Sequence, residues 1–487
     1  MKRRKLFAML LSAALLVPTL TGCGNGAGGS TEAAGGSSSV TESDSASKEA
    51  ETSEKTETVT ISVAGWPSSA DPDRLALYED YVETMKELYP NITVVPDEYQ
   101  YDVDTFLPKA ASGQLPTVYS TYFTETSKII GAGYAKDITA VLEDVGYDQM
   151  LNEELLDLVT SDGKIYGVPY GGYNVGMLYN IELFKEAGLL DENGVPQYAQ
   201  TYEELAKLAV TVKEKTGKPG LFWYTKDNQG GWMFMNLAWS YGVDFMHQED
   251  DGKWVATFDS DEAIAAMQFV KDLKWKYDCI QENTLVSGDD MFTAIATNQV
   301  AMAYSTLDFN DRIITAGGAD KDNLSLARVP AGPAGRSSLM GGNIYMFSPN
   351  ATDEEVKAAL KWLEVTGFSP NVNDNVRKGI EEQLNTDVSK GTPVGPRRMS
   401  VWKSGEYYDL EGELISENCN VDMKYWDDFA ITDDVSIHPE VPMNAQELYK
   451  ALDNVIQEVL TNENADVAAL MTEANATFQR DYLDNAQ

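Results

Sequence analysis

Asp162-Gly-Lys-Ile-Tyr-Gly-Val-Pro-Tyr170-Gly-Gly-Tyr-Asn-Val-Gly-Met-Leu-Tyr-Asn180-Ile-Glu-Leu-Phe-Lys-Glu-Ala-Gly188 holds two short apolar runs with a glycine pair between them. Gly163 permits a hairpin turn, because glycine reaches positive φ without a Cβ clash. Tyr166 to Pro169 predicts a strand leaving one lobe, and Val175 to Tyr179 a strand in the next. Gly171 and Gly172 can absorb a change of dihedral angle between them. The chain has 487 residues. Its length exceeds what one core serves, so two large lobes are expected.

Upstream, Val59-Thr-Ile-Ser-Val63 reads as a strand and Asp71-Pro72 as a helix start. Leu75, Tyr78, Val82, Met85 and Leu88 follow at helical spacing until Pro90, and Ile92 to Val95 reads as a second strand. Proline suits the first helical position and blocks continuation at the end, so this is a β-α-β unit and implies a parallel, doubly wound sheet. Thr201-Tyr-Glu-Glu204 and Thr352-Asp-Glu-Glu355 read as capping boxes. Leu448 to Leu460 and Val467 to Leu483 close the chain as two amphipathic helices.

The N-terminus reads as an address. Lys2, Arg3, Arg4 and Lys5 precede an apolar run from Leu6 to Val17, too short to span a membrane as a mature helix but suited to a secretory signal. Leu20-Thr-Gly-Cys23 resembles the lipobox of bacterial lipoproteins, which implies lipidation of Cys23 and removal of residues 1–22. Two acyl chains would anchor the protein at the outer face of the bacterial cell membrane. Residues 23–57, rich in Gly, Ser, Thr and acids, read as a flexible tether with a reach of about 30 Å. With 37 basic against 77 acidic residues the net charge is −40, which argues against nucleic acid or an anionic surface as partner. Cys279 and Cys419 are the only cysteines beyond Cys23 and make no disulfide framework; they either pair or remain two buried thiols.

The quoted stretch resembles the extracellular solute-binding proteins (family 1) of bacterial carbohydrate ABC importers. Other segments agree in order: Leu115-Pro-Thr-Val118, Gly131-Ala-Gly-Tyr-Ala-Lys-Asp-Ile138, Asn298-Gln-Val-Ala-Met302, and Pro330-Ala-Gly-Pro-Ala-Gly335 leading to Gly341-Gly342-Asn343. The likeness runs from about Val59 to Glu364 and more loosely through the last two helices. It implies an α/β, two-lobed periplasmic-binding-protein-like fold of type II, each lobe a mostly parallel sheet flanked by helices, with hinge strands between. Lobe 1 would comprise residues 58–171 and 342–395, and lobe 2 residues 172–341 and 396–487. The implied function is capture of a carbohydrate, an oligosaccharide, in the interlobe cleft by a monomer that delivers it to transmembrane permease subunits. No cofactor and no enzymatic activity are implied. Arg397 to Asn444 is unfamiliar.

A pyranose has apolar C–H faces and a rim of hydroxyls, so its site needs aromatic plates and polar groups that replace water. Trp66 follows the first strand, held out of regular structure by Gly65 and Pro67. The resemblance further points to Tyr122 and Thr124 after the next strand, Tyr173 and Asn174 beside the first crossing, and Trp232 opening a helix of the second lobe. Asp308 would accept hydroxyl hydrogen bonds and Asn343 would stand at the second crossing; Trp402, in the unfamiliar segment, either extends the cleft or packs that segment. Gly171, Gly172, Gly341 and Gly342 would be hinges, with a third crossing in residues 391–396. His247 and His438 are far apart and in no metal-ligand motif, so no metal is expected. Competing readings are a binding protein for a peptide or polyamine, a glycoside hydrolase using two of the many carboxylates, and a glycan-binding adhesin.

Overall fold

The computed structural model describes residues 58–484 apart from 431 and 433, so the signal segment, Cys23 and the tether lie outside the described residues. Strand β1 (Val59–Val63), helix α1 (Pro72–Leu88) and strand β2 (Ile92–Pro96) form the expected unit, with β1 and β2 parallel. Asp71 caps the helix by accepting from the Arg74 N–H at 3.2 Å, and Pro72 stands at its start. Strand β3 (Val118–Tyr122) joins β1 in parallel at Val63. The hairpin turn falls at Asp162 and Gly163, with φ of +51° and +71°, between the short antiparallel strands Thr160–Ser161 and Lys164–Ile165.

The quoted stretch continues as strand β4 (Gly167–Asn174) and strand β5 (Gly176–Asn180). The helix Tyr202–Thr216 is capped by Thr201 as expected, but Glu204 returns its bond to the Gln200 N–H, one residue before the cap. Thr352 and Glu355 close the full reciprocal box. Helix α2 (Gln229–Ser240), strand β6 (Met302–Ser305), helix α3 (Leu307–Thr315) and strand β7 (Leu324–Ala327) follow. β6 and β7 flank β5, both antiparallel to it. The expected parallel arrangement is thus carried by β1, β2 and β3, whereas β5 enters straight from β4 without a crossover helix and runs against its neighbours.

Strand β8 (Gly335–Phe347) is the longest. Beyond it come helix α4 (Asp374–Lys390), helix α5 (Glu406–Glu417), strand β9 (Val435–Pro439) and helix α6 (Ala445–Thr461). Two large cores result. One gathers buried residues from Ile61 to Val168, Met340 to Phe368, and Met399 and Trp402. The other gathers Val175 to Leu339, Trp426 and Phe429, and Val441 to Leu483. Leu384, Val394, Leu410 and Leu414 make a third, small cluster under α4 and α5. Each buried Leu, Val or Phe contributes roughly 1.5–3 kcal/mol, so the large cores dominate.

Cys279 is buried and Cys419 exposed, both unpaired, so the pair of buried thiols expected as one alternative is corrected at Cys419. No helix among the described residues is long and apolar enough to cross a membrane.

Candidate functional site

The polypeptide passes between the two cores along β4 and β8, which are antiparallel. Gly341 lies opposite Tyr173, Gly342 opposite Gly172 and Asn343 opposite Gly171; the register then shifts so that Ile344 faces Pro169 and Tyr170 bulges. β4 takes one edge of β8. The other edge holds β3 and β9 end to end: β3 finishes at Tyr122 opposite Asn343, and β9 finishes at Pro439 opposite Met340. Both strands therefore run toward Gly341 and Gly342 from opposite ends of β8.

Those glycines answer a steric need. None of Gly171, Gly172, Gly341 and Gly342 has positive φ. A Cβ on Gly341 would lie 2.2 Å from the Tyr173 hydroxyl, and one on Gly342 would lie 2.1 Å from the Gly171 carbonyl oxygen. Gly172 is tight against Met399 Sδ at 3.0 Å, while Gly171 has open space. Close approach, of the Tyr173 ring at Gly341 and of the Gly171 backbone at Gly342, rather than dihedral freedom, explains glycine at these positions.

Around this crossing the structure collects rings. Tyr122 is 48% exposed and stands edge-on to Tyr101 at 5.6 Å between centroids. Tyr345, two residues past Asn343 and so on the same face of β8, stacks on Tyr170 at 4.1 Å. From the second lobe, Trp232 in the first turn of α2 meets Tyr173 edge-on at 6.1 Å and Phe309 at 5.9 Å. Asn174 is buried just beyond Tyr173. Asn343 is half-buried between Tyr122 and Gly171.

One expected plate is placed elsewhere. Trp66 is 7% exposed, stacked on Trp362 at 5.5 Å and met edge-on by Tyr78 at 5.1 Å, so its ring is spent on the first core. Trp402 is 2% exposed between Tyr147 and Phe368, packs in the same core and borders the cavity beside the crossing. Asp308 is occupied rather than free: it accepts from one Arg398 nitrogen while Asp311 accepts from another. Burial holds the Asp311 carboxyl up at about 6 despite that guanidinium. Thr124 is buried, and its hydroxyl has no hydrogen-bond partner.

A cavity of about 760 Å³ adjoins the crossing, bounded by α1, β4, β8, α4 and α5. Tyr170, Tyr345, Gly171 and Gly172 form its floor, and Asp80, Asp387 and Arg398 supply charge at its walls. That volume lies within the range of small-molecule sites. Tyr170 and Tyr345 escaped the sequence reading although both adjoin residues it singled out; period-2 alternation from Asn343 would have found Tyr345. Glu125, which accepts from the Tyr101 hydroxyl at 2.7 Å, and Glu440, which accepts from the Tyr449 hydroxyl at 2.9 Å, carried no local signal. Among the described residues no cluster of histidine, cysteine and acidic side chains could hold a metal ion.

Residues 69–366 match the family described as bacterial extracellular solute-binding protein. A binding protein of Brucella abortus is 21% identical over 356 residues, spanning 69% of this chain and 82% of that protein. Among solved structures, the cyclic alpha-maltosyl-1,6-maltose binding protein of Arthrobacter globiformis superposes with a TM-score of 0.61 at 21% identity, covering 87% of this chain and 98% of its own. The GacH receptor of Streptomyces glaucescens, solved unliganded and with acarbose, gives 0.61 at 20% identity, covering 88% and 100%. These likenesses give the fold, the two-lobed periplasmic-binding-protein-like architecture.

Proposed function

Because the chain belongs to the bacterial extracellular solute-binding protein family, we propose that it captures a carbohydrate, an oligosaccharide, in the seam between its lobes and delivers it intact to the permease subunits of an ABC importer. Lipidated Cys23 would tether it at the outer face of the cell membrane. The family and the similar solved structures are binding proteins, not enzymes.

The observation that carries the reading is the stacked Tyr170–Tyr345 pair on the floor of the cavity beside the crossing strands. Aromatic faces there suit the C–H faces of a pyranose, and the carboxylates at the walls suit its hydroxyl rim. Exposed Tyr122 and half-buried Trp232 and Asn343, near the same crossing, are proposed to carry the site from this cavity onto the second lobe. Gly171, Gly172, Gly341 and Gly342 are proposed as the region about which the lobes turn. Moving closure from 1:99 to 99:1 requires about 5.5 kcal/mol of preference for the closed form.

Calorimetric titration of the purified chain with malto-, xylo- and chito-oligosaccharides tests this. Micromolar binding to at least one series is expected, weakened about tenfold by Tyr345→Ala. Neither heat nor a thermal shift with any series would overturn it.

A further inference from the structure

Where β3 and β9 converge on Gly341 and Gly342, each strand delivers a carboxylate. Glu125 ends the short 3₁₀ turn Phe123–Glu125 that leaves β3, and Glu440 is the first residue after β9. One comes from the side of the first core and the other from the side of the second. Glu125 is buried, with a side-chain exposure of 7%; it takes the Tyr101 hydroxyl and lies 3.7 Å from Lys128. Glu440 takes the Tyr449 hydroxyl, and among the described residues no lysine or arginine forms an ion pair with it.

Two further observations point to a missing guest. Thr124, 5% exposed and next to Glu125, has a hydroxyl with no hydrogen-bond partner, a costly condition that a donor-rich ligand relieves. Thr121, 2% exposed, sits beside the Tyr101 hydroxyl that Glu125 accepts from. The rings of Tyr173 and Trp232 flank Glu440: Trp232 supports its ionised form, and the Glu440 charge is felt at Tyr173.

Resting on the reading of this seam as the solute site, we propose that Glu125 and Glu440 together receive an ammonium group carried by the solute, one carboxylate from each lobe, beside the Trp232 and Tyr173 rings. A cation there supplies the counter-charge that Glu440 lacks and adds to that of Lys128 beside Glu125, and aromatic faces add attraction. Burial, with the Glu125 charge adding to it, pushes the Glu440 carboxyl up to about 7, against the Tyr449 hydroxyl that it accepts. Amino sugars and polyamines share the required group.

Calorimetry on the full chain at pH 7.5, where the Glu440 carboxyl is largely ionised, separates the sources. The probes are glucosamine oligosaccharides, their N-acetylated counterparts, neutral malto-oligosaccharides, and spermidine. The amino forms are expected to bind at least tenfold more tightly than the N-acetylated forms, and Glu125→Gln and Glu440→Gln are each expected to remove most of that preference. Thermal unfolding midpoints within about 2 °C of the wild type in the same variants control for folding. Neutral sugars binding as tightly as amino sugars overturns this proposal and leaves the carbohydrate reading standing. Spermidine binding that depends on both glutamates, without any sugar binding, overturns the carbohydrate reading and supports the ammonium site. Silence toward every probe overturns both.

Discussion

At Gly342 a missing side chain decides whether two strands can cross. The Gly171 carbonyl oxygen and Phe123 Cε2 lie 2.1 and 2.5 Å from where a Cβ would stand, whereas nothing lies within 4 Å of the same point on Gly171. Gly342→Ala should therefore cost about 2–4 kcal/mol, and Gly171→Ala less than about 1 kcal/mol, read as denaturant midpoints at unchanged slope. Equal costs would mean that the crossing yields easily. The sequence marked both glycines but did not separate them, because identical residues in a Gly-Gly pair differ only in what a distant strand brings near. The same limit explains Trp66. Gly65 and Pro67 did lift it out of regular structure, but Trp362, nearly 300 positions away in the chain, claims its ring face. That Tyr122 stands at an exposed strand end could be read locally, whereas its part in holding a ligand came from the family resemblance and is a proposal.

Among the elements, those with local causes were legible. The α1 cap, its proline and its apolar stripe lie within twenty residues, and the β1-α1-β2 unit formed as read. α4, α5 and β9 were not. α4 and α5 bury only a small cluster of Leu384, Val394, Leu410 and Leu414, so most of their surface is polar and the periodic signal is faint. β9 becomes a strand by pairing with β8 about a hundred positions upstream, which no short window contains. The segment between α4 and α5 also supplies Arg398, the single cation that joins Asp308 and Asp311 of α3. The Asp311 carboxyl titrates near 6, above its ordinary value, so its share of stability is full below about pH 4 and is lost as pH rises through 6. Removing Arg398 raises that value further, because the ionised form then has no counter-charge. Arg398→Gln should thus destabilise by on the order of 1 kcal/mol at pH 8 and by little at pH 4.5, measured by chemical denaturation at both. A loss of equal size at the two pH values would show that the arginine acts through packing alone.

On the scale of the molecule, the two-lobed plan followed from length, from the β-α-β opening and from the ordered family-like segments. The seam was legible only in outline, since a cleft is assembled from strand ends that no contiguous stretch records. A body carrying such an excess of acids attracts cations from a distance of about one Debye length, so capture should slow as salt rises if the guest is charged and stay constant if it is neutral.

One strand belongs to both halves. The early residues of Gly335–Phe347 are bonded to Val435–Pro439, and the late ones to Val118–Tyr122 and Gly167–Asn174. The second half keeps a three-stranded sheet of its own in β6, β5 and β7, but the shared strand is paired from both sides, so melting either half strips a partner from it. Scanning calorimetry should record a single cooperative peak instead of two separable ones. A gene cut at residue 334 would yield two orphan fragments that are stable only when mixed, much as neither side of a zip fastener keeps its shape without the shared slider.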